Sequence, residues 1–463
     1  MKTKKIAAIH AALLLGTVAV PAAAQDTSGT NALQQAIGSP DDFTLSGSFR
    51  ARIEGIDGQF RPTAAHDDQL LSLRTTLFGE YHPGPIKIGG ELWDSRAYLE
   101  SKNSTVSTGE VNALELVQAY IGVDLGSALG NGSKTEITGG RMTMSIGSKR
   151  LVSRQNFRNT TNSYTGVKLE RKGGDGSLLT AFWVMPQTRL PSDAHGIRHN
   201  DVEWDRETSD VQFYGVDYQI PLSLPGAGFE FYGYGLDERD APGYQTTNRH
   251  LFTPGVRLYR KPKAGVTDFD LEAILQRGHE HATSAPTDVT ALPVKAWFAH
   301  AGVGHTFGGS WQPRVEAVFD YGSGDGTGRS IGRFDQLYGA RRFEYGPTGL
   351  YGPISRSNEI SPGARVEVTP AKRWSAFAMY RALWLASRTD SFGSTGIRDA
   401  TGQSGRFAGQ QVEASASYWL KPKVAQLEVG YARLFKGRFL RDAPNAPDTG
   451  DTNYGYASIL FDF

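Results

Sequence analysis

Phe43-Thr44-Leu45-Ser46-Gly47-Ser48-Phe49-Arg50-Ala51-Arg52-Ile53-Glu54 alternates without a break. Phe43, Leu45, Gly47, Phe49, Ala51 and Ile53 fall on one parity, while Thr44, Ser46, Ser48, Arg50, Arg52 and Glu54 fall on the other. Side chains of a strand point to opposite faces in turn, so this segment is a strand with one apolar and one charged face. The pattern recurs further along. Leu71, Leu73, Thr75, Leu77 and Tyr81 oppose Ser72, Arg74, Thr76 and Glu80, and Trp311, Val315, Ala317, Phe319 and Tyr321 oppose Gln312, Arg314, Glu316 and Asp320. Further segments lie near 85–98, 113–125, 135–145, 163–171, 177–187, 210–221, 227–238, 249–260, 266–277, 295–307, 359–369, 373–386, 409–420, 424–435 and 453–463. The sum is an even-numbered set of about eighteen strands, an all-β chain.

A soluble sandwich also alternates, so strand length, turn asymmetry and aromatic placement have to separate it from a membrane barrel. Many of these segments are about ten residues or longer, the length a tilted strand needs to cross a bilayer. Some connections are tight, such as His82-Pro83-Gly84 and Lys421-Pro422-Lys423, and others are long and polar, such as 188–209 and 322–358. Short periplasmic turns and long extracellular loops are the outer-membrane arrangement. Trp374 and Trp384 flank Ala376, Ala378 and Tyr380, as interfacial girdles would. The expected fold is a transmembrane antiparallel β-barrel over 43–463.

The N-terminus reads Met1-Lys2-Thr3-Lys4-Lys5, then an apolar run from Ile6 to Val20, then Ala22-Ala23-Ala24. That order is a secretory signal peptide over 1–24, cleaved near Ala24 and followed by a short periplasmic segment over 25–42. A membrane-anchor helix is the competing reading, but His10 interrupts the run and it is too short to span. No later stretch has the length of an uncharged spanning helix, so membrane residence requires a barrel. The chain has no cysteine, 11% aromatic residues, and 49 Lys+Arg against 48 Asp+Glu. These values exclude a disulfide scaffold, a disordered chain and a conventional basic nucleic-acid binder. Loss of Lys2, Lys4 and Lys5 leaves 46 bases against 48 acids, a formal −2. The expected location is the outer membrane of a Gram-negative bacterium.

If the apolar parity meets lipid, the polar parity reports on the cargo. Of the basic residues 33 are Arg and 16 Lys, and Arg50, Arg52, Arg74, Arg141, Arg257, Arg314, Arg365 and Arg381 are candidates for the lumen parity. Guanidinium groups bind carboxylates in a bidentate fork and keep their charge, so an arginine-ringed pore favours anions such as carboxylated sugars. The competing reading is bracing against lumen acids, for which Glu54, Glu80, Asp217, Glu272, Glu316 and Glu367 are available. The densest basic stretch runs from Arg141 through Lys149, Arg150 and Arg154 to Arg158, with Ser and Asn between. A loop of that kind either binds lipopolysaccharide phosphates or folds into the pore, and its Gln155, Asn156 and Asn159 favour the second as donors to sugar hydroxyls.

The last ten residues, Tyr454 to Phe463, end in phenylalanine with apolar residues at every second position back. They resemble the C-terminal strand of bacterial outer-membrane proteins, which the barrel-insertion machinery reads. A second resemblance is more specific. Gly140-Arg141, the Arg- and Asn-rich stretch behind it and Tyr164-Thr165-Gly166 resemble the central region of the alginate export family. So do Asp320-Tyr321-Gly322-Ser323-Gly324-Asp325-Gly326, Arg333-Phe334-Asp335-Gln336-Leu337-Tyr338-Gly339 and Phe343-Glu344-Tyr345-Gly346. The resemblance implies an eighteen-stranded monomeric barrel with a loop-gated, arginine-lined constriction that passes anionic polyuronate. It implies Arg141, Arg154 and Arg158 in or near that constriction, and more loosely Arg365 and Arg381. It also implies a synthesis complex and a periplasmic export scaffold as partners. Met142 departs from the family, which has a polar residue after Gly-Arg.

The expected pore residues are therefore Arg74, Arg141, Arg154, Arg158, Arg257, Arg314, Arg365 and Arg381, with Glu80, Glu316 and Glu367 as lumen counter-charges. No catalytic residue, metal or cofactor is expected. His279, Glu280 and His281, and His300 with His305, read as loop or lumen histidines rather than metal or catalytic sets. Gly322 to Gly328 lacks the Lys of a phosphate loop and reads as an extracellular turn, where Asp320 and Asp325 offer only incidental calcium ligands. The alternatives are a general anion-preferring porin and a periplasmic polysaccharide lyase, whose cleft also uses arginines, tyrosines and histidines.

Overall fold

The computed structural model describes residues 32–241 and 244–463. The strands are β1 (Phe43–Asp57), β2 (Asp67–Tyr81), β3 (Ile86–Tyr98), β4 (Asn112–Gly126), β5 (Lys134–Met142), β6 (Tyr164–Lys172), β7 (Leu178–Pro186), β8 (Val211–Pro221) and β9 (Ala227–Glu238). They continue as β10 (His250–Arg260), β11 (Thr267–Glu280), β12 (Leu292–Thr306), β13 (Arg314–Gly322), β14 (Glu359–Ala371), β15 (Trp374–Trp384), β16 (Phe407–Lys421), β17 (Ala425–Lys436) and β18 (Thr452–Asp462). Every strand pairs antiparallel with its sequence neighbours, and β1 pairs with β18 from Ser48↔Asp462 to Asp57↔Asn453, closing the barrel. Each expected strand is present. The boundaries shift: β2 begins at Asp67, and β13 begins at Arg314, which leaves Trp311 and Gln312 in the preceding turn. Residues 1–24, read as a signal peptide, and part of the 25–42 segment lie outside the described residues.

Connections alternate strictly in length. At one end they are 82–85, 127–133, 173–177, 222–226, 261–266, 307–313, 372–373 and 422–424. At the other they are 58–66, 99–111, 143–163, 187–210, 239–249, 281–291, 323–358, 385–406 and 437–451. The first set is periplasmic and the second extracellular. The outer face is apolar, with Ile53, Leu77, Ile121, Val256, Leu271, Val303 and Val315 exposed. Trp374 packs on Tyr418 at the periplasmic end (centroids 4.4 Å), and Trp297 on Tyr321 at the extracellular end (4.1 Å). These are the two girdles that locate the membrane.

The barrel ends are tied by short contacts. Phe463 N–H donates to the Gly47 carbonyl (2.9 Å) and Gly47 N–H to the Phe463 carbonyl (2.7 Å), which extends the β18–β1 ladder to the last residue. Helix α1 (Ala32–Ala36) is held to β1 by Gln34, whose side chain accepts from Leu45 N–H and donates to the Phe43 carbonyl, each at 2.7 Å.

The inner wall is less uniformly polar than alternation alone implies. Ile56, Leu70, Phe213, Leu236, Leu251, Ile274 and Phe298 point inward and are buried. They pack against Ile146, Leu151, Val152, Phe334, Leu350, Tyr351 and Ile354, which belong to loops folded into the barrel. Two apolar clusters therefore fill much of the extracellular half. Met142 lies in one of them beside Met144 and Tyr164, so its place after Gly140-Arg141 is a packing position under the loop.

Candidate functional site

Two inward loops build the site. The β5–β6 loop (143–163) and the β13–β14 loop (323–358) join through a parallel bridge between Val152 and Tyr338. Tyr338 N–H donates to the Leu151 carbonyl (2.9 Å), Ala340 N–H to Lys149 (3.0 Å) and Ser153 N–H to Tyr338 (3.2 Å). Gly339 is required at this crossing, because a Cβ there would lie 1.7 Å from the Arg150 carbonyl oxygen. Gln155 and Asn162 add side-chain bonds to the carbonyls of Gly339 (2.7 Å) and Tyr338 (3.0 Å).

Wall residues hold this partition from both sides. Arg50 and Arg74 stand opposite each other on β1 and β2, and both donate to the Asn156 carbonyl, at 2.7 and 2.9 Å. Arg52 donates to the Phe157 carbonyl (2.7 Å) and places its guanidinium 3.8 Å from the Phe157 ring centroid. On the far side, buried Arg150 binds Glu344 (2.6 Å), Asp270 (3.1 Å) and Glu272. Glu344 belongs to the short helix α3 (Arg342–Tyr345) of the β13–β14 loop and also binds Arg356. Arg342 reaches Glu413 on β16 (2.6 Å).

The expected pore residues divide on this frame. Arg257 binds Asp270 (2.7 Å) and Glu230 (3.1 Å), and Arg314 binds Asp268, Glu316 and Glu367. Arg365 binds Glu367 (2.7 Å), and Arg381 binds Asp320 (2.8 Å) together with the Glu344 carbonyl (3.0 Å). Glu316 and Glu367 each meet an arginine, whereas Glu80 accepts from Tyr120 and lies beside His82, with no arginine on it among the described residues. Arg154 pairs with Glu91 (2.6 Å). For Arg141 the structure corrects the expected place. It stands opposite Ala119 and Thr165, which share the outward parity of exposed Ile121 and Val167, and it leans to Glu115 (2.5 Å) and Glu207 (3.1 Å) at the wall. Its cross-strand partners fix its face, so its motif position does not bring it into the constriction.

Arg158 alone of the expected set enters the cleft. A cavity of about 480 Å³ lies where the two inward loops meet the β7–β8 loop (187–210). Arg158, Arg189 and Arg341 line it with Gln155, Asn162, Gln187, Gln336 and Tyr338, and no carboxylate is among its lining residues. Arg158 and Arg189 both donate to the Asn162 side-chain oxygen (3.0 and 2.9 Å), and Arg341 donates to Ser394 (2.8 Å) and the Ile354 carbonyl (3.2 Å). Burial, then the charge of Arg189, holds Arg158 well below the usual guanidinium value. Burial beside Arg356 lowers Arg341 to about 10. Guanidinium groups remain charged at neutral pH, so the downward push marks first their desolvation and then the neighbouring positive charge, both of which a bound anion would relieve. Arg189 and Arg341 were not legible in the sequence, because long loops carry no periodicity. Gln336, Leu337, Tyr338 and Gly339 of the family-like motif line the cleft, a place the motif itself did not announce.

Of the histidine sets, His300 faces inward against Asp320 (2.6 Å), while His279 stacks on His250 near the extracellular rim. Asp325 accepts from Gly332 N–H (3.0 Å), and Asp320 is engaged by His300 and Arg381.

An eighteen-stranded barrel with apolar exterior, two aromatic girdles and infolded loops is an outer-membrane channel. A family model described as alginate export matches residues 42–450, and the chain belongs to that family. Solved structures of similar fold come from Pseudomonas aeruginosa. OccK9 (OpdG) is 11% identical with a TM-score of 0.58, covering 91% of this chain and 98% of its own. OpdQ is 13% identical, TM-score 0.56, covering 92% and 99%. OccK2 (OpdF), solved in complex with glucuronate, is 9% identical, TM-score 0.55, covering 90% and 98%. No curated protein matches the sequence significantly.

Proposed function

We propose that this channel passes anionic, uronate-type saccharides, with Arg158, Arg189 and Arg341 as the recognition element. The carboxylate-free lining of the cleft carries this reading. A uronate carboxylate fits a guanidinium fork, and its hydroxyls fit the amides of Gln155, Gln187 and Gln336. Membership of the alginate export family and the glucuronate complex of OccK2 support the same cargo class. The wall arginines brace; the cleft arginines select. Phe463 is proposed as the signal for barrel insertion, and a periplasmic export scaffold is proposed as a partner.

Planar-bilayer recording tests the reading. The wild-type barrel in a KCl gradient should show an anion-selective reversal potential, and uronate oligomers should block the chloride current. Neutral oligosaccharides blocking equally well would refute uronate selection, and block by glucuronate and by unrelated organic anions alike would leave a general anion porin.

A further inference from the structure

Cations on the outer wall of the extracellular half are almost all neutralised. Arg96 pairs with Asp94 (3.0 Å), Arg433 with Asp451 (3.4 Å), Arg141 with Glu115 and Glu207, and His250 lies 2.9 Å from Asp237. Arg277 and Lys295 differ. They stand directly opposite each other in the β11–β12 ladder, both exposed. Among the described residues neither has a carboxylate within ion-pair distance, and Arg277 donates only to the carbonyls of Gln276 (2.9 Å) and Ala296 (3.1 Å). Like charges directly opposed in a sheet are destabilising, and an anion bound between them would relieve the repulsion.

Their position says which anion. Leu275 and Trp297, the next outward-facing pair toward the membrane centre, are 50% and 41% exposed, and Trp297 stacks on Tyr321 in the extracellular girdle. Phe252, opposite Arg277 on its other side, is 56% exposed. Two residues along a strand span about 7 Å, so the cation pair lies one step above the girdle, at headgroup level. His279 stands next outward on the same face, stacked on His250. Asp237, two strands along on that face, is already engaged by His250 and by the Tyr214 hydroxyl (2.9 Å).

We propose that Arg277 and Lys295, with His279 beside them, form a binding site for the phosphate of an outer-leaflet glycolipid, whose acyl chains lie along Phe252, Leu275 and Trp297. A phosphate offers a fork of acceptors to Arg277 and a point charge to Lys295. The site is on the lipid side of the wall and does not depend on what the pore carries.

Native mass spectrometry of the detergent-purified barrel tests it, with bis-phosphorylated lipid A and its dephosphorylated form as probes. Wild type should retain the phosphorylated lipid about fivefold or more over the dephosphorylated one, and R277Q/K295Q should abolish that preference. R433Q, at a cation already paired with Asp451, should retain it. Equal retention of the two lipids by the wild-type barrel would overturn the proposal without any variant having to fold. Displacement of the lipid by millimolar inorganic phosphate would also overturn it, by showing a small-anion site. Conductance should be the same in R277Q/K295Q as in wild type, so failure here is distinguishable from failure of the channel reading.

Discussion

Arginines of the barrel wall and arginines of the cleft carry the same group into opposite electrostatic settings. Arg257, Arg314, Arg365 and Arg381 each touch a carboxylate, so their charge is cancelled within a few ångströms. Arg158, Arg189 and Arg341 touch carbonyls, amides and a hydroxyl, so their charge is left to act on whatever enters. Counting inward arginines therefore overstates the field of a pore. What matters is which of them are in direct contact with no carboxylate, and here the lining that leaves them so is made by loops.

The largest expected effect comes from breaking a wall pair. Arg381→Met removes the arginine from buried Asp320 and leaves it only His300 among the described residues, and loss of one partner of a buried pair costs about 3–5 kcal/mol. The urea midpoint of the refolded barrel should drop accordingly, and an unchanged midpoint would remove the bracing role. Gly339→Ala comes next. Its Cβ would collide with the Arg150 carbonyl, and overpacking of this kind costs about 1–3 kcal/mol. The two loops should separate, read as higher single-channel conductance with no change of strand content by circular dichroism. R158Q/R189Q/R341Q sharpens the comparison directly. A unit charge at about 8 Å acts with roughly 2 kcal/mol at an effective dielectric of 20, so anion over cation permeability should fall roughly tenfold or more. R257Q, a wall change, should move it far less; equal shifts would erase the distinction between wall and cleft.

The smallest effect is a pH dependence. Glu110, on the β3–β4 loop (99–111), accepts from Ser107 N–H (3.0 Å), and burial raises it to about 7 despite that bond and the nearby Arg158. Below that pH the carboxyl is neutral and leaves the field of Arg158 intact. Above it the carboxylate offsets that field. Anion selectivity should decline severalfold between pH 6 and pH 8, and Glu110→Gln should flatten the profile. A profile unaffected by E110Q would assign the titration elsewhere.

Alternation made the strands legible because a membrane wall leaves only two environments, lipid and lumen, and a period of two sorts residues between them. Arg257, Arg314, Arg365 and Arg381 share their parity with the polar positions for that reason, and each meets a carboxylate. Parity says nothing about partners, which is why Arg314 and Arg381 proved to be braces. It also says nothing about loops, so Arg189 and Arg341 gave no signal. Arg141 shows a third limit. Its motif neighbours suggested the pore, whereas its opposition to Ala119 and Thr165 sets it on the outward parity.

The sequence by itself determined an eighteen-stranded outer-membrane barrel, because backbone pairing in lipid must be complete and strand periodicity records it locally; the family came from motif resemblance and the family model over 42–450. Only the tertiary structure decided which arginines act as free charge. Residues 143–163 and 323–358 meet far from one another in the chain, and a field at that meeting point is a sum over neighbours that no local pattern encodes.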